Sequence, residues 1–268
     1  MLISFRVRRA AVAAIAALLV AQSLVAQTPA RGLTGNISMT LQPPALGGSG
    51  APNSSLTGTV LLATGKGRID IASASGPALD FRAGDFALLP DSSRLLYLRP
   101  SSQEFWNMDS PFFSPYAQLL ASAGQVTTSG GRAWIETLGA GDSLSGFATL
   151  RFRISSEYTV TAGGANLPAG FQIDLTVAQT PVKFGSAPVA GAQTFGIAVP
   201  AAMMNGIRTH LAAATAGGVV VATVSKSWFV TSGTEISTIV TTRITDLRAT
   251  DVDDAKLAMP TGFRAGGG

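Results

Sequence analysis

The chain of 268 residues has no cysteine and one histidine. Without thiolates it can build neither a zinc–thiolate centre nor a redox dithiol, and it has no cysteine nucleophile. With His210 alone, clustered imidazole ligands are excluded. A Ser-His-Asp site would have to form around that one residue. Charge is scarce too, at 13% of residues. No Lys/Arg-rich run occurs, so the basic patch that nucleic acid requires is missing.

What is present begins with an export pattern. Arg6, Arg8 and Arg9 precede an uninterrupted apolar run from Ala10 to Ala21, and small residues follow at Ser23 and Ala26. This is the layout of a secretory signal peptide over 1–26, too short in its apolar part to span a bilayer. Gln27 stands where a lipoprotein would carry its cysteine. Three of the nineteen basic residues leave with the signal, and none of the fifteen acidic ones do. The mature chain is therefore close to neutral at +1, and the expected location is periplasmic or secreted. Residues 27–264 are expected to form a single β-rich domain, large enough to bury a core without disulfides. Residues 265–268 are expected to be a disordered tail.

Short apolar runs punctuated by turn residues dominate that domain. "GLTGNISMTLQ" reads as a first strand with Ile37, Met39 and Leu41 on one face. "LTGTVLLATG" and "KGRIDIAS" read as a hairpin turned at Thr64-Gly65. The stretch 84–108 adds three short strands that are apolar on both faces. "ATLRFRISSEYTV" alternates strictly over 148–160, with Leu150, Phe152, Ile154, Tyr158 and Val160 on its buried side. "FQIDLTV" repeats this with Phe171, Ile173, Leu175 and Val177 inward.

The clearest helix signal runs over 115–123. Ser114 suits the N-cap, Pro115 the first turn and Gly124 the residue past the end. Tyr116, Leu119, Leu120 and Ala123 fall at helical spacing. "GIRTHLAAATAGGVVVATVSKSWFV" reads as a hairpin around Ala216-Gly217-Gly218, and "PAAMMNG" before it as a helical turn. "ATDVDDAKLAMPTGF" reads as a closing turn. The sum is roughly ten strands in one antiparallel sheet, curled into an open half-barrel with one or two covering helices.

"GDFALLPDSSRLLYLRP", "LSGFATLRFRISSEYTV" and the closing "GTEISTI" and "DVDDAKLAMPTGF" together resemble the periplasmic lipoprotein-carrier fold and exported bacterial families similar to it. The stretch 185–205 departs from that pattern. The resemblance implies a binding protein for a lipid or a lipoprotein acyl chain.

Catalytic chemistry finds little support in the residues. His210 has no sequence partners and reads as an exposed strand residue. "GDSLSG" at 141–146 has the wrong spacing for a nucleophile elbow and reads as a turn. Asp251, Asp253 and Asp254 lack the further oxygen ligands of a calcium loop and read as the acidic start of a short helix. Glu104, Glu136, Glu157 and Asp174 read as carboxylates on a wet sheet face. "GKG" at 65–67 and "GGSG" at 47–50 lack the strand–loop–helix context of a phosphate site.

The aromatic set is mostly core. Its strand members, with their neighbours, give the candidate ligand-binding residues Phe86, Leu88, Leu96, Tyr97, Leu98, Phe105, Trp106 and Phe152. Arg82, Arg94 and Arg99 lie near the expected mouth. The expectation is a non-catalytic protein without cofactor or metal that binds an apolar ligand. A structural or interaction protein of the envelope is the alternative, and a hydrolase the second.

Overall fold

A computed structural model describes residues 32–43, 52–76, 81–91, 94–107, 126–182 and 201–266. They form one sheet of twelve strands that does not close into a barrel. The first six are β1 (Gly32–Gln42), β2 (Ser54–Ala63), β3 (Lys66–Ser75), β4 (Phe86–Asp91), β5 (Arg94–Arg99) and β6 (Glu104–Asn107). The next five are β7 (Val126–Leu144), β8 (Phe147–Ala162), β9 (Ala165–Gln179), β10 (Gly218–Thr231) and β11 (Thr234–Thr250). A 3-10 turn at Asp254–Leu257 leads to β12 (Arg264–Ala265), and helix α1 (Ala201–Thr215) lies between β9 and β10. The strand order is β12-β6-β5-β4-β3-β2-β1-β11-β10-β9-β8-β7. Two meanders are thus joined at one seam, β1 against β11. Every pairing is antiparallel except β12 on β6.

Turn chemistry explains the long hairpins. Ser145-Gly146, Gly163-Gly164 and Ser232-Gly233 each supply two successive residues at positive φ. That is the conformation a two-residue hairpin loop needs to match the strand twist. Alternation then sets the faces. Ile173, Leu175 and Val177 on β9 are at most 1% exposed, and Ile154 on β8 is fully buried.

The double-faced apolar strands have a cover on each side. On one face of β4 and β5, Phe86, Leu88, Leu96 and Leu98 pack with Phe105 under Met259 and Phe263 of the C-terminal segment. The rings of Phe86 and Phe263 meet edge-on, with centroids 6.3 Å apart. Leu257, fully buried with Ala63 and Val252, pins the same segment down. Asp253 caps the 3-10 turn by accepting from the Ala255 amide at 3.0 Å, the role expected of that acidic run. On the other face, Ala87, Leu89, Leu95 and Tyr97 look into the concave side.

Two expectations are corrected. Residues 201–215 form α1 rather than the first arm of a hairpin, so His210 is a half-buried helix residue and not a strand residue. Ile207, Leu211 and Ala214 recur at helical spacing and bury one stripe on the sheet. Ala265 and Gly266, assigned to a disordered tail, are bonded to β6. Ala265 pairs with Phe105, and the Gly266 amide donates to the Phe105 carbonyl at 2.8 Å. The helix expected over 115–123 lies outside the described residues, as does most of 185–205. Among the described residues no helix is long and apolar enough to cross a membrane.

Candidate functional site

Directly opposed residues of neighbouring strands share a face, so the register traces the concave surface. From β6 inward, Trp106 faces Tyr97, Tyr97 faces Ala87, Ala87 faces Ile69 and Ile69 faces Val60. A parallel row runs Leu56, Met39, Thr242, Thr223, Leu175 and Phe152, from β2 to β8. Helix α1 fills only part of this surface. It packs on β7, β8 and β10, where Ile207, Leu211 and Ala214 meet Ile154, Phe171 and Leu175.

Beyond the helix the concave face bounds a partly open cavity of about 200 Å³. Ile37 and Met39 of β1, Leu56, Val60 and Leu62 of β2, and Ile69 and Ile71 of β3 line it. Ala87, Leu89 and Leu95 continue the wall, and Val219, Val221, Val240 and Ile244 complete it from the other meander. Arg68 borders the cavity through its strand only. Its guanidinium points to the opposite face, 3.9 Å above the Phe86 ring, and pairs with Asp70 at 2.6 Å. The side-chain polarity of the wall comes from three hydroxyls, those of Thr223, Ser225 and Thr242.

Phe81 both lines the cavity and stacks edge-on against Tyr97, with centroids 5.1 Å apart. Behind it lies a buried polar cluster. Tyr97, 1% exposed, donates its phenol proton to Asp85, itself 3% exposed. Asp85 also accepts from the Arg82 amide at 3.0 Å. Arg99 donates to the Tyr97 hydroxyl at 2.8 Å, and its Nε stands 3.6 Å from the Asp85 carboxylate. The Trp106 ring stacks on Tyr97, and Arg99 lies over both. Burial, reinforced by the bond to Asp85, raises the Tyr97 pKa well above the usual phenol range. This hydrogen-bonded cluster stiffens one flank of the cavity.

The eight sequence-derived ligand residues divide among three places. Phe86, Leu88, Leu96, Leu98 and Phe105 lie on the opposite face under the C-terminal segment. Tyr97 and Trp106 lie on the concave face beside Phe81, bordering the cavity. Phe152 packs against the core under α1. None of the eight lines the cavity itself. The residues that do line it are mostly aliphatic. Many of them sit on strands that the sequence marks: Ile37 and Met39 on the first, Leu56, Val60 and Leu62 on the second, Ile69 and Ile71 on the third, and Ile173 on β9.

The three arginines near the expected mouth also separate. Arg94 pairs with Asp91 at 2.7 Å on the β4–β5 turn, Arg99 belongs to the buried cluster, and Arg82 is exposed next to Phe81. Two of the carboxylates, Glu136 and Asp174, flank Arg153 from the strands on either side. Glu157 pairs with Arg132 and Asp174 with Arg153, while Glu136 accepts from the Trp134 indole. Among the described residues no three His, Asp or Glu side chains are grouped to hold a metal ion. Comparison of the chain with protein-family models and with curated proteins yields no match.

Proposed function

We propose that the protein is an exported, non-catalytic envelope protein that takes an apolar ligand, a lipid or a lipoprotein acyl chain, into the concave side of its half-barrel. The observation that carries this reading is the cavity of about 200 Å³ with its aliphatic wall. An apolar cavity of roughly 150 Å³ already stays dry and binds benzene-sized molecules. This one is larger, though smaller than the roughly 300–1,000 Å³ of drug-sized sites. It fits a segment of chain rather than a whole lipid. At about 30 Å³ per water-sized group, it holds on the order of seven such groups. Seven methylenes at about 0.8 kcal/mol each give ~5–6 kcal/mol before the cost of association, so the cavity alone supports a Kd no tighter than on the order of 0.1 mM. Tighter binding would require chain buried beyond the cavity.

The signal-like first 26 residues support export, and the resemblance to the lipoprotein-carrier pattern supports the choice of ligand. The test is fluorescence titration of the purified protein with dansylundecanoic acid, beside solvent extraction of protein taken from its own envelope. Saturable binding that is lost in Ala87→Leu, which pushes a side chain into the cavity, is the expected result. No saturable binding and no extracted lipid would overturn the reading and leave a protein-interaction role.

A further inference from the structure

We infer that the ligand carries an oxygen within its chain, a hydroxyl or an ester group, held between Thr223 and Thr242. This rests on the apolar-ligand reading and narrows it.

Thr223 and Thr242 are direct cross-strand partners on the concave face. In such a pair the Cβ atoms stand about 4.5–5.5 Å apart, so one oxygen seated between them reaches both hydroxyls. Ser225 is two residues further along β10, about 6.7 Å away on the same face. All three line the cavity. None makes a side-chain hydrogen bond to any described residue, although the hydroxyls of several other strand residues are bonded, such as Thr34 to the Val60 carbonyl and Thr57 to Ser73.

The three are surrounded by apolar wall. Val220 and Val221, at an irregularity in β10, line the wall before Thr223, and Val240 and Ile244 flank Thr242. Met39 stands opposite Thr242 on the far side. A hydroxyl at a cavity mouth would be met by water. Hydroxyls ringed by aliphatic side chains point to a polar group partway along an otherwise apolar ligand. A hydroxyl both donates and accepts, so it satisfies a ligand hydroxyl in either sense and an ester carbonyl as donor. A plain chain seated there would leave the wall hydroxyls desolvated and unpaired. That is the physical basis on which a hydrogen-bonding site rejects an analogue lacking the oxygen.

The experiment displaces dansylundecanoic acid with dodecanoate and with a positional series of hydroxydodecanoates. It is run on the wild type and on the Thr223→Val/Thr242→Val double variant, which keeps β-branched side chains of nearly the same shape. One hydroxyl position is expected to bind roughly tenfold tighter than dodecanoate to the wild type. In the double variant that advantage should vanish, while dodecanoate binds at least as well as before. Equal affinities for every chain on the wild type, or an advantage that survives the double substitution, would overturn the inference while leaving the apolar-ligand reading intact. Failure of the dansyl probe itself to bind would overturn both.

Discussion

Removing one oxygen from the buried cluster is the sharpest test of how the cavity flank is held. In Tyr97→Phe the ring keeps its stack with Trp106 and its edge contact with Phe81, so the change isolates the hydroxyl. That hydroxyl donates to Asp85 and accepts from Arg99, and both tyrosine and aspartate are almost fully buried. Hydrogen bonds to charged groups contribute about 1.5–3 kcal/mol each, more than neutral ones. The expected loss of stability is therefore ~2 kcal/mol. For a domain of this size that lowers Tm by about 4–8 °C.

Asp85→Ala should cost at least as much as Tyr97→Phe, because it removes the acceptor of both the buried Tyr97 phenol and the Arg82 amide. Urea unfolding followed by circular dichroism reads both values. The pH dependence supplies an independent check. The fold raises the pKa of Tyr97 above its usual value of about 10, so it favours the neutral phenol. Its contribution is complete below pH ~10 and is lost as pH rises toward the folded-state value, because only the unfolded chain ionises in that window. Burial raises Tyr158 in the same direction. Wild-type stability should fall above pH 10 by up to ~1.4 kcal/mol per pH unit for each tyrosine, and Tyr97→Phe should remove one share of that slope. A Tyr97→Phe protein as stable as the wild type, with an unchanged alkaline slope, would refute the account.

Two further substitutions probe the sheet face opposite the cavity. In Gly170→Ala the new methyl would run into the Trp228 indole and the Ser156 carbonyl. The variant should lose about 1–3 kcal/mol, with Trp228 displaced and tryptophan emission shifted to the red; unchanged emission would contradict the packing. Leu257→Ala empties a fully buried position beneath the C-terminal segment. It should cost about 2–5 kcal/mol in urea unfolding, and a loss below 1 kcal/mol would mean that the segment does not close the outer face.

Much of the sheet can be read from the amino acids, because its strands obey a period of two. The alternation over 171–177 matches β9, that over 152–160 matches most of β8, and the Thr64-Gly65 turn joins β2 to β3 as expected, but the start of β8 departs from it: Leu150, expected on the buried side, is exposed, and Thr149 is buried. Beyond its first turn, helix α1 escaped because its ends carry no charge cue. No acidic residue stands in its first turn and no basic one in its last. The Val-rich strand β10 follows after only two residues. Its stripe of Ile207, Leu211 and Ala214 was visible, but next to that valine run it could be read as part of a strand. The cavity escaped for a different reason. Which apolar residues face a void depends on how far the sheet curls and where the helix stops, and neither leaves a trace in local periodicity. Aromatic residues drew attention to β4 and β5, yet Phe86 and Phe105 pack on the outer face under Met259 and Phe263, while Tyr97 and Trp106 join the polar cluster beside the cavity.

The seam between β1 and β11 has a consequence for synthesis. Every other antiparallel pairing joins strands that are neighbours in the order of the chain. The seam alone ties Gly32 to Thr250 and Gln42 to Ile239, partners roughly two hundred residues apart. At about 5–20 residues per second, β11 leaves the ribosome some 10–40 s after β1. During that interval the first meander has an open edge at β1, with its amides and carbonyls available to any passing strand. The nascent chain is therefore most vulnerable to mispairing along Gly32–Gln42, and a holding chaperone that shields this one segment would protect the whole sheet until its last long strand arrives.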